Sequence, residues 1–418
     1  MEISYFLPPI VIIVGLYLLF KLKFFFLIHP VRTAKEIMAE MSDGKKRRTL
    51  CLALAGTLGV GNIFGVSAGI MIGGAGCVFW IFISSFLSMV IKYAEILLTS
   101  LEAKEGEGAS AVLASTFSKI GGILGKGYAF FTVLLALLMG AGIQAEALCD
   151  VAKNTVGLNR FVGAFILLVL FMPCMLGGVK RIEKITEFAI PLTTIIYIFM
   201  CFCVIVCNLS EIPSVITDVF NSAFSKKAIL GGGAFLAIRE GFSRGILSNE
   251  AGVGSSAIAH ARSKYSSPRT AGLVGICEVL FDTTLLCTLT GLVILLTTEN
   301  IGAYRTPMSL VLSSFVSCLG ELSGYILLLL IFAFAYSTVI CWYFYGINCC
   351  ELYFARFKKV FMFMFPIFFF ASSVVTSANL LFITDLIILL MAVMILSAII
   401  KRTDRICDLS IDKTFRSI

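Results

Sequence analysis

The chain has 418 residues, of which 59% are apolar and 14% charged, and its mean hydropathy is +1.00. A soluble domain of this length carries far more charge, so the composition excludes one and implies a polytopic membrane protein. The net charge of +8 requires no nucleic-acid partner, because cytoplasmic membrane loops are ordinarily rich in Lys and Arg.

The apolar stretches predict about eleven spans, near 7–28, 49–74, 76–100, 125–150, 160–178, 187–208, 230–260 (interrupted), 270–297, 322–350, 360–377 and 380–400. The first starts at an acidic Glu2 and lacks a basic leader and a small-residue cleavage site, so it reads as an anchor helix. The second contains Ala55-Gly56-Thr57-Leu58-Gly59-Val60-Gly61-Asn62-Ile63-Phe64-Gly65. Each interior glycine costs a helix about 1 kcal/mol relative to alanine, so this density predicts a break at mid-membrane. Broken backbone survives at that depth where it is buried in protein or lines a cavity, and its freed N–H and C=O groups suit an ionic solute. Gly61, Gly65, Gly69 and Gly73 also form a four-residue repeat that suits close helix packing.

Further along, Gln144 is an amide within a span rich in small residues; it either hydrogen-bonds another helix or faces a cavity. Asn208–Lys227 and Thr297–Glu321 read as external loops, Glu102–Gly108 as a solvated connection, and residues 401–418 as a short cytoplasmic tail. Lys92 and Glu95 are three apart and predict a local ion pair. A second glycine-rich stretch, Ser248-Asn249-Glu250-Ala251-Gly252-Val253-Gly254-Ser255, matches Gly59–Asn62 in pattern. Asn249 and its carbonyls could receive an ammonium group, and Glu250 beside the break is a candidate for coupling or gating. Arg239, Glu240 and Arg244 pair locally or line a vestibule. Glu278 and Asp282 lie four apart on one helix face, where they either titrate or accept hydrogen bonds. Ser337 and Thr338 offer hydroxyls for a hard cation or for their own helix backbone, with Trp342 one turn on.

Basic residues alternate along the connections. The clusters at Arg32–Arg48, Lys104–Lys126, Lys180–Lys184, Arg262–Arg269 and Arg356–Lys359 fall on every second one, and the rest carry few, Lys226 and Lys227 among them. This implies an N-terminus outside and a C-terminus in the cytoplasm. With the first helix set aside, the two breaks open sets of five spans of opposite orientation, residues 49–208 and 230–400, the pattern of an inverted repeat within one domain. The fourteen Cys sit mostly inside apolar segments without zinc-type spacing, and the two His, His29 and His260, lie near predicted loops. Metal-based or histidine-based catalysis has little support, so no enzyme and no organic cofactor is expected.

These motifs, with Gly73–Trp80, Lys92-Tyr-Ala-Glu95, Gly241–Gly252 through His260, Asp282-Thr283 and Cys287–Thr290, resemble the alanine or glycine:cation symporters, the sodium–alanine symporter family of prokaryotes. The resemblance implies an all-α five-plus-five inverted-repeat transporter with two discontinuous helices, in the prokaryotic inner membrane. It places a substrate carboxylate on the amides of Val60 and Gly61 with Thr57 and Asn62 beside it. Na⁺ would lie between the carbonyls of Ala55 and Leu58 and the hydroxyls of Ser337 and Thr338, and Gln144 and Trp342 would bound a small side-chain pocket. The chain departs from the family at four places: Val60 stands in place of Thr, Ala141 in place of Asn, Gly74-Ala75-Gly76 where the family has a Pro, and Gly106-Glu-Gly-Ala-Ser-Ala111 in place of a Gly-Gly-Pro-Met-Tyr-Tyr-like stretch. The expected activity is Na⁺-driven import of a small neutral amino acid, alanine or glycine first, with D-alanine and serine as further candidates. The alternatives are a proton-coupled carrier or exchanger using Glu250, Asp282 or Glu278, and more distantly an intramembrane enzyme. The expected partners are the amino acid, Na⁺ and the lipid bilayer; the oligomeric state is open, a monomer included.

Overall fold

The computed structural model describes residues 6–157, 159–224, 232–374 and 378–410; Glu2, Lys226, Lys227 and residues 411–418 of the expected tail lie outside them. The described residues form helices and their connections, with no strand among them. Seven helices are long and apolar enough to cross a membrane, or eight if the bent pair Gly44–Thr57 and Gly61–Gly73 counts as one. The other three expected spans correspond to the shorter helices Leu7–Lys21, Arg160–Leu176 and Gly233–Asn249.

The first expected span is shorter than its apolar run. Lys23 and Phe24 both have positive φ, which ends Leu7–Lys21 and leaves Phe25–Ile28 as a single turn. Two connections expected as loops contain helices, Ile212–Phe224 and Pro307–Leu319. The second starts at a capping box, in which the Thr306 hydroxyl accepts from the Ser309 amide and Pro307 occupies the first turn. Ser267, Pro268 and Thr270 start Pro268–Val279 in the same way. The tail also differs from a free cytoplasmic segment. Thr403–Ser410 is helical, with Ile406 buried and Ser410 within 2.7 Å of the Tyr93 hydroxyl.

The long helix Gly178–Cys207 shows how the spans sort their faces. Phe188, Ile195, Phe199 and Phe202 are exposed along one side, while Ile190, Tyr197, Cys201 and Val204 are buried along the other. An exposed apolar belt on a polytopic chain faces lipid.

Gly76–Glu102 lies at the centre of the bundle, between Gly233–Asn249 and Pro268–Val279. Both neighbours approach it through glycine. A Cβ added at Gly245 would lie 1.9 Å from the Ser84 Oγ, and one at Gly272 would lie 2.6 Å from the Tyr93 ring. Such close approach, available to small residues, brings Lys92 and Glu95 against the second break and against Glu278.

Candidate functional site

The first break arises from the glycines. Gly44–Thr57 ends at Leu58, whose ψ of 76° is not helical, and the chain resumes as a π-helical turn over Gly61–Gly65 after a 53° bend. The Asn62 side chain holds this corner, its Oδ1 accepting from the Gly59 amide at 3.2 Å. Among the described residues, the amides of Val60 and Gly61 meet no backbone acceptor. Gly61 is exposed, and a Cβ built there would have open space around it.

Two other helices close on the break. The Thr338 hydroxyl lies 3.3 Å from the Leu58 carbonyl and also donates to Phe334, one turn back in its own helix. The Trp342 indole N–H donates to the Gly56 carbonyl at 3.3 Å, and Trp342 is fully buried against Gly140. Gln144 stands with Thr338 over Gly59, where an added Cβ would lie 3.0 Å from the Thr338 Oγ1 and 3.3 Å from the Gln144 Nε2. The Gln144 Oε1 is buried and has no hydrogen-bond partner among the described residues. Ala55, Thr57, Val60 and Ser337 are buried around the same corner, and the Thr57 hydroxyl turns back toward the Leu54 carbonyl at 3.4 Å.

The second break is of another kind. Gly233–Asn249 ends at Glu250, a non-glycine residue in the left-handed region with φ of 52°, and Gly252 and Gly254 come after it at φ of 81° and 89°. A strained conformation of this type costs about 1–3 kcal/mol and persists where the surroundings enforce it. The enforcing contacts are present. The Asn249 side chain donates to the Gly245 carbonyl and to the Thr283 hydroxyl and accepts from the Ala251 amide. The Tyr128 hydroxyl donates to the Val253 carbonyl at 2.9 Å.

One polar cluster ties the two breaks together. The Asn62 Nδ2 donates to the Ser248 hydroxyl at 2.9 Å and to the Asp282 carboxylate. Asp282 also accepts from Ser248 at 2.9 Å and from Thr283 at 2.8 Å, and it is fully buried. Glu278 does not join it. A π-helical stretch, Leu280–Cys287, continues from Pro268–Val279, and Glu278 instead meets Lys92 at 3.4 Å and the His260 Nε2 at 3.2 Å. The expected ion pair of Lys92 with Glu95 is present at 3.8 Å, and Lys92 lies nearer still to Glu278 on another helix. His260 closes the short helix Ala257–His260 beside the connection that follows it, and its side chain is buried. Arg239, Glu240 and Arg244 pair locally, with both arginines on the Glu240 carboxylate.

A model of the sodium:alanine symporter family matches residues 1–409. The chain belongs to that family. A family relative, the sodium/alanine symporter AgcS of Methanococcus maripaludis, is 34% identical over 317 residues, 73% of this chain and 69% of its own. The probable sodium/glutamine symporter GlnT of Bacillus subtilis is 32% identical over 351 residues, 79% of this chain and 71% of its own. In fold, the symporter chain superposes on MhsT, crystallised with L-phenylalanine, with a TM-score of 0.59 at 16% identity, covering 88% and 93% of the two chains. A manganese transporter of Eremococcus coleocola gives 0.61 at 13% identity, covering 88% and 80%. The chain is thus a multi-pass membrane transporter of the LeuT-like inverted-repeat fold, and not an enzyme.

Ser248 and Ser255 lie in the second glycine-rich stretch, but the sequence assigns neither a role; Ser248 bridges Asn62 to Asp282, and the Ser255 hydroxyl meets the Glu250 carboxylate. Tyr265 carries no local pattern that marks it, although its hydroxyl meets His260.

Proposed function

We propose that this symporter couples Na⁺ entry to import of a small neutral amino acid, alanine or glycine first, with D-alanine and serine next. The observation that carries the reading is the corner at Gly59–Gly61. There the amides of Val60 and Gly61 meet no backbone acceptor and Gly61 has open space beside it, while Thr338 and the unpartnered Gln144 Oε1 stand over Gly59 and Trp342 holds the Gly56 carbonyl. Amides at the start of a half-helix suit a carboxylate. The carbonyls of Ala55 and Leu58 with the hydroxyls of Ser337 and Thr338 are uncharged hard oxygen donors, as a small hard cation requires. Asn249 and the freed carbonyls of the second break stand for the ammonium end. The buried Trp342 against Gly140 limits the side chain to a small one. The names of the relatives, alanine for one and glutamine for the other, support the amino-acid class.

The same reading treats residues 1–400 as one transporter domain with repeats 49–208 and 230–400, in a prokaryotic inner membrane. The N-terminus is outside and the C-terminus in the cytoplasm. The test is uptake of labelled alanine by purified protein in liposomes under an inward Na⁺ gradient, with competition by small L- and D-amino acids. Accumulation that requires the gradient supports the reading, and uptake independent of it removes the coupling.

A further inference from the structure

Five ionisable side chains outside the proposed Na⁺ and substrate corner converge where Gly76–Glu102 crosses the second break. Lys92, Glu95, Glu250, Glu278 and His260 are all at least 97% buried. Three carboxylates therefore share one ammonium and one imidazole in a region that excludes water. Uncompensated charge there costs several kcal/mol per ion, so the set holds fewer charges than its residue types carry in water.

The contacts indicate which member carries the proton. Glu278 has the Lys92 ammonium at 3.4 Å and the His260 Nε2 at 3.2 Å. Glu95 has the Gly252 amide at 2.9 Å and Lys92 at 3.8 Å. Lys92 completes its own set with the Ser256 hydroxyl at 3.1 Å and the Glu250 backbone carbonyl at 3.5 Å. One oxygen of each carboxylate, the Oε1 of Glu95, Glu250 and Glu278, has no hydrogen-bond partner among the described residues, but those of Glu95 and Glu278 face the Lys92 ammonium, whereas the Glu250 side chain is met by the Ser255 hydroxyl. Glu250 is the carboxylate with the least to hold its charge. The other ionisable groups facing the cluster are the Tyr128 hydroxyl, spent on Val253, the Asp282 carboxylate one turn beyond Glu278, and Cys341 and Tyr345 from Glu321–Tyr353.

A route to water is also present. The His260 Nδ1 lies 2.7 Å from the Tyr265 hydroxyl, and Tyr265 lines a cavity of about 640 Å³ together with Lys45, Lys46, Lys104, Arg262 and Lys264.

We propose that Glu250 is a proton-binding site, exchanging with this basic vestibule through Tyr265, His260 and Glu278. One proton from vestibule water neutralises the Glu250 carboxylate, the displaced charge is left to bulk buffer, and nothing is oxidised or reduced. The proton stabilises the packed second break, and its loss puts a further unpaired charge there and favours hydration of that face. The site rests on the transport reading for its consequence but not for its existence.

The test therefore has two arms. Infrared difference spectroscopy of the purified protein should show a protonated carboxyl at neutral pH that Glu250→Gln removes and Glu95→Gln, Glu278→Gln and Asp282→Asn retain. Its absence in the parent, or its persistence in Glu250→Gln, overturns the proposal. Should Glu250→Gln fail to fold, His260→Gln keeps the test alive: it should retain the carboxyl signal but slow its exchange in deuterated buffer, and unchanged exchange rejects the route. In liposomes at fixed Na⁺, uptake by the parent should vary with pH by up to about tenfold per unit, the limit for one linked proton, and the Glu250→Gln profile should be flat. Failure of alanine uptake in every protein, with the infrared result intact, would instead refute the substrate or coupling reading.

Discussion

Thr338 allows the proposed cation cage to be probed without a change of shape. Its hydroxyl reaches the Leu58 carbonyl across the first break and the Phe334 carbonyl within its own helix. Valine keeps the volume and removes the oxygen. Thr338→Val is expected to raise the Na⁺ concentration for half-maximal uptake by about tenfold, the worth of one polar ligand, with little change in thermal stability. A sodium titration of alanine uptake reads this directly, and an unchanged half-saturation removes Thr338 from the cage. The two glycines of the corner form a matched pair. Gly61→Ala adds its methyl into open space, so the protein should fold normally and take up alanine poorly. Gly59→Ala drives the methyl onto the Thr338 oxygen and the Gln144 amide, and should lower thermal stability by about 1–3 kcal/mol as well as uptake. If Gly61→Ala transports normally, the carboxylate binds elsewhere. This corner was legible in the sequence because glycine density is itself the physical cause of the break. Glu95 was legible as a partner of Lys92, but Glu278 was not, since sequence supplies neighbours on one helix but not which helix packs against it.

Three π-helical stretches, Gly61–Gly65, Ala136–Ile143 and Leu280–Cys287, occur among the described residues, and each holds or adjoins a candidate residue: Asn62, Gln144 and Asp282. A π turn inserts one residue into the hydrogen-bond ladder and rotates the helix beyond it, and such turns recur at functional sites. Glu278 and Asp282 flank the start of the third stretch and take different partners, Lys92 and His260 for the first, and Asn62, Ser248 and Thr283 for the second. No residue type announces a π turn, whereas the glycine-rich breaks are readable from composition alone. The elements are then joined by Asn62, whose amide bonds both Ser248 and Asp282. Asn62→Ala leaves a buried carboxylate short of a donor, a loss of about 1–3 kcal/mol. The variant should insert in the membrane, unfold at lower temperature in detergent, and lose uptake. An unaltered unfolding temperature with lost uptake would instead assign Asn62 to the substrate alone.

Across the whole molecule, the site is reached unequally from its two sides. Gly61 is exposed while Leu58, Asn62 and Trp342 are buried, so water meets the break from the side of Gly61–Gly73. On that side lies a cavity of about 290 Å³ lined by Phe64, Ala147, Asp150, Thr306, Pro307 and Met308. Toward the vestibule of about 640 Å³, the packed second break and the Lys92 cluster intervene. This is the asymmetry that the proposed function requires of one state under alternating access: a site between two repeats, hydrated from one side and sealed from the other. It also identifies a route, since Ala147 stands one turn beyond Gln144 on the cavity wall. Ala147→Trp places a large ring in that cavity and leaves every proposed ion and substrate ligand unsubstituted. Uptake should fall at least about tenfold, as expected when the competent open state is depopulated, while the unfolding temperature remains close to that of the parent. Entry through this cavity further requires that Ala147→Ser, which adds one small atom, transport normally. Equal loss in both variants would indicate disturbed packing, and normal uptake by Ala147→Trp would place the entry path elsewhere.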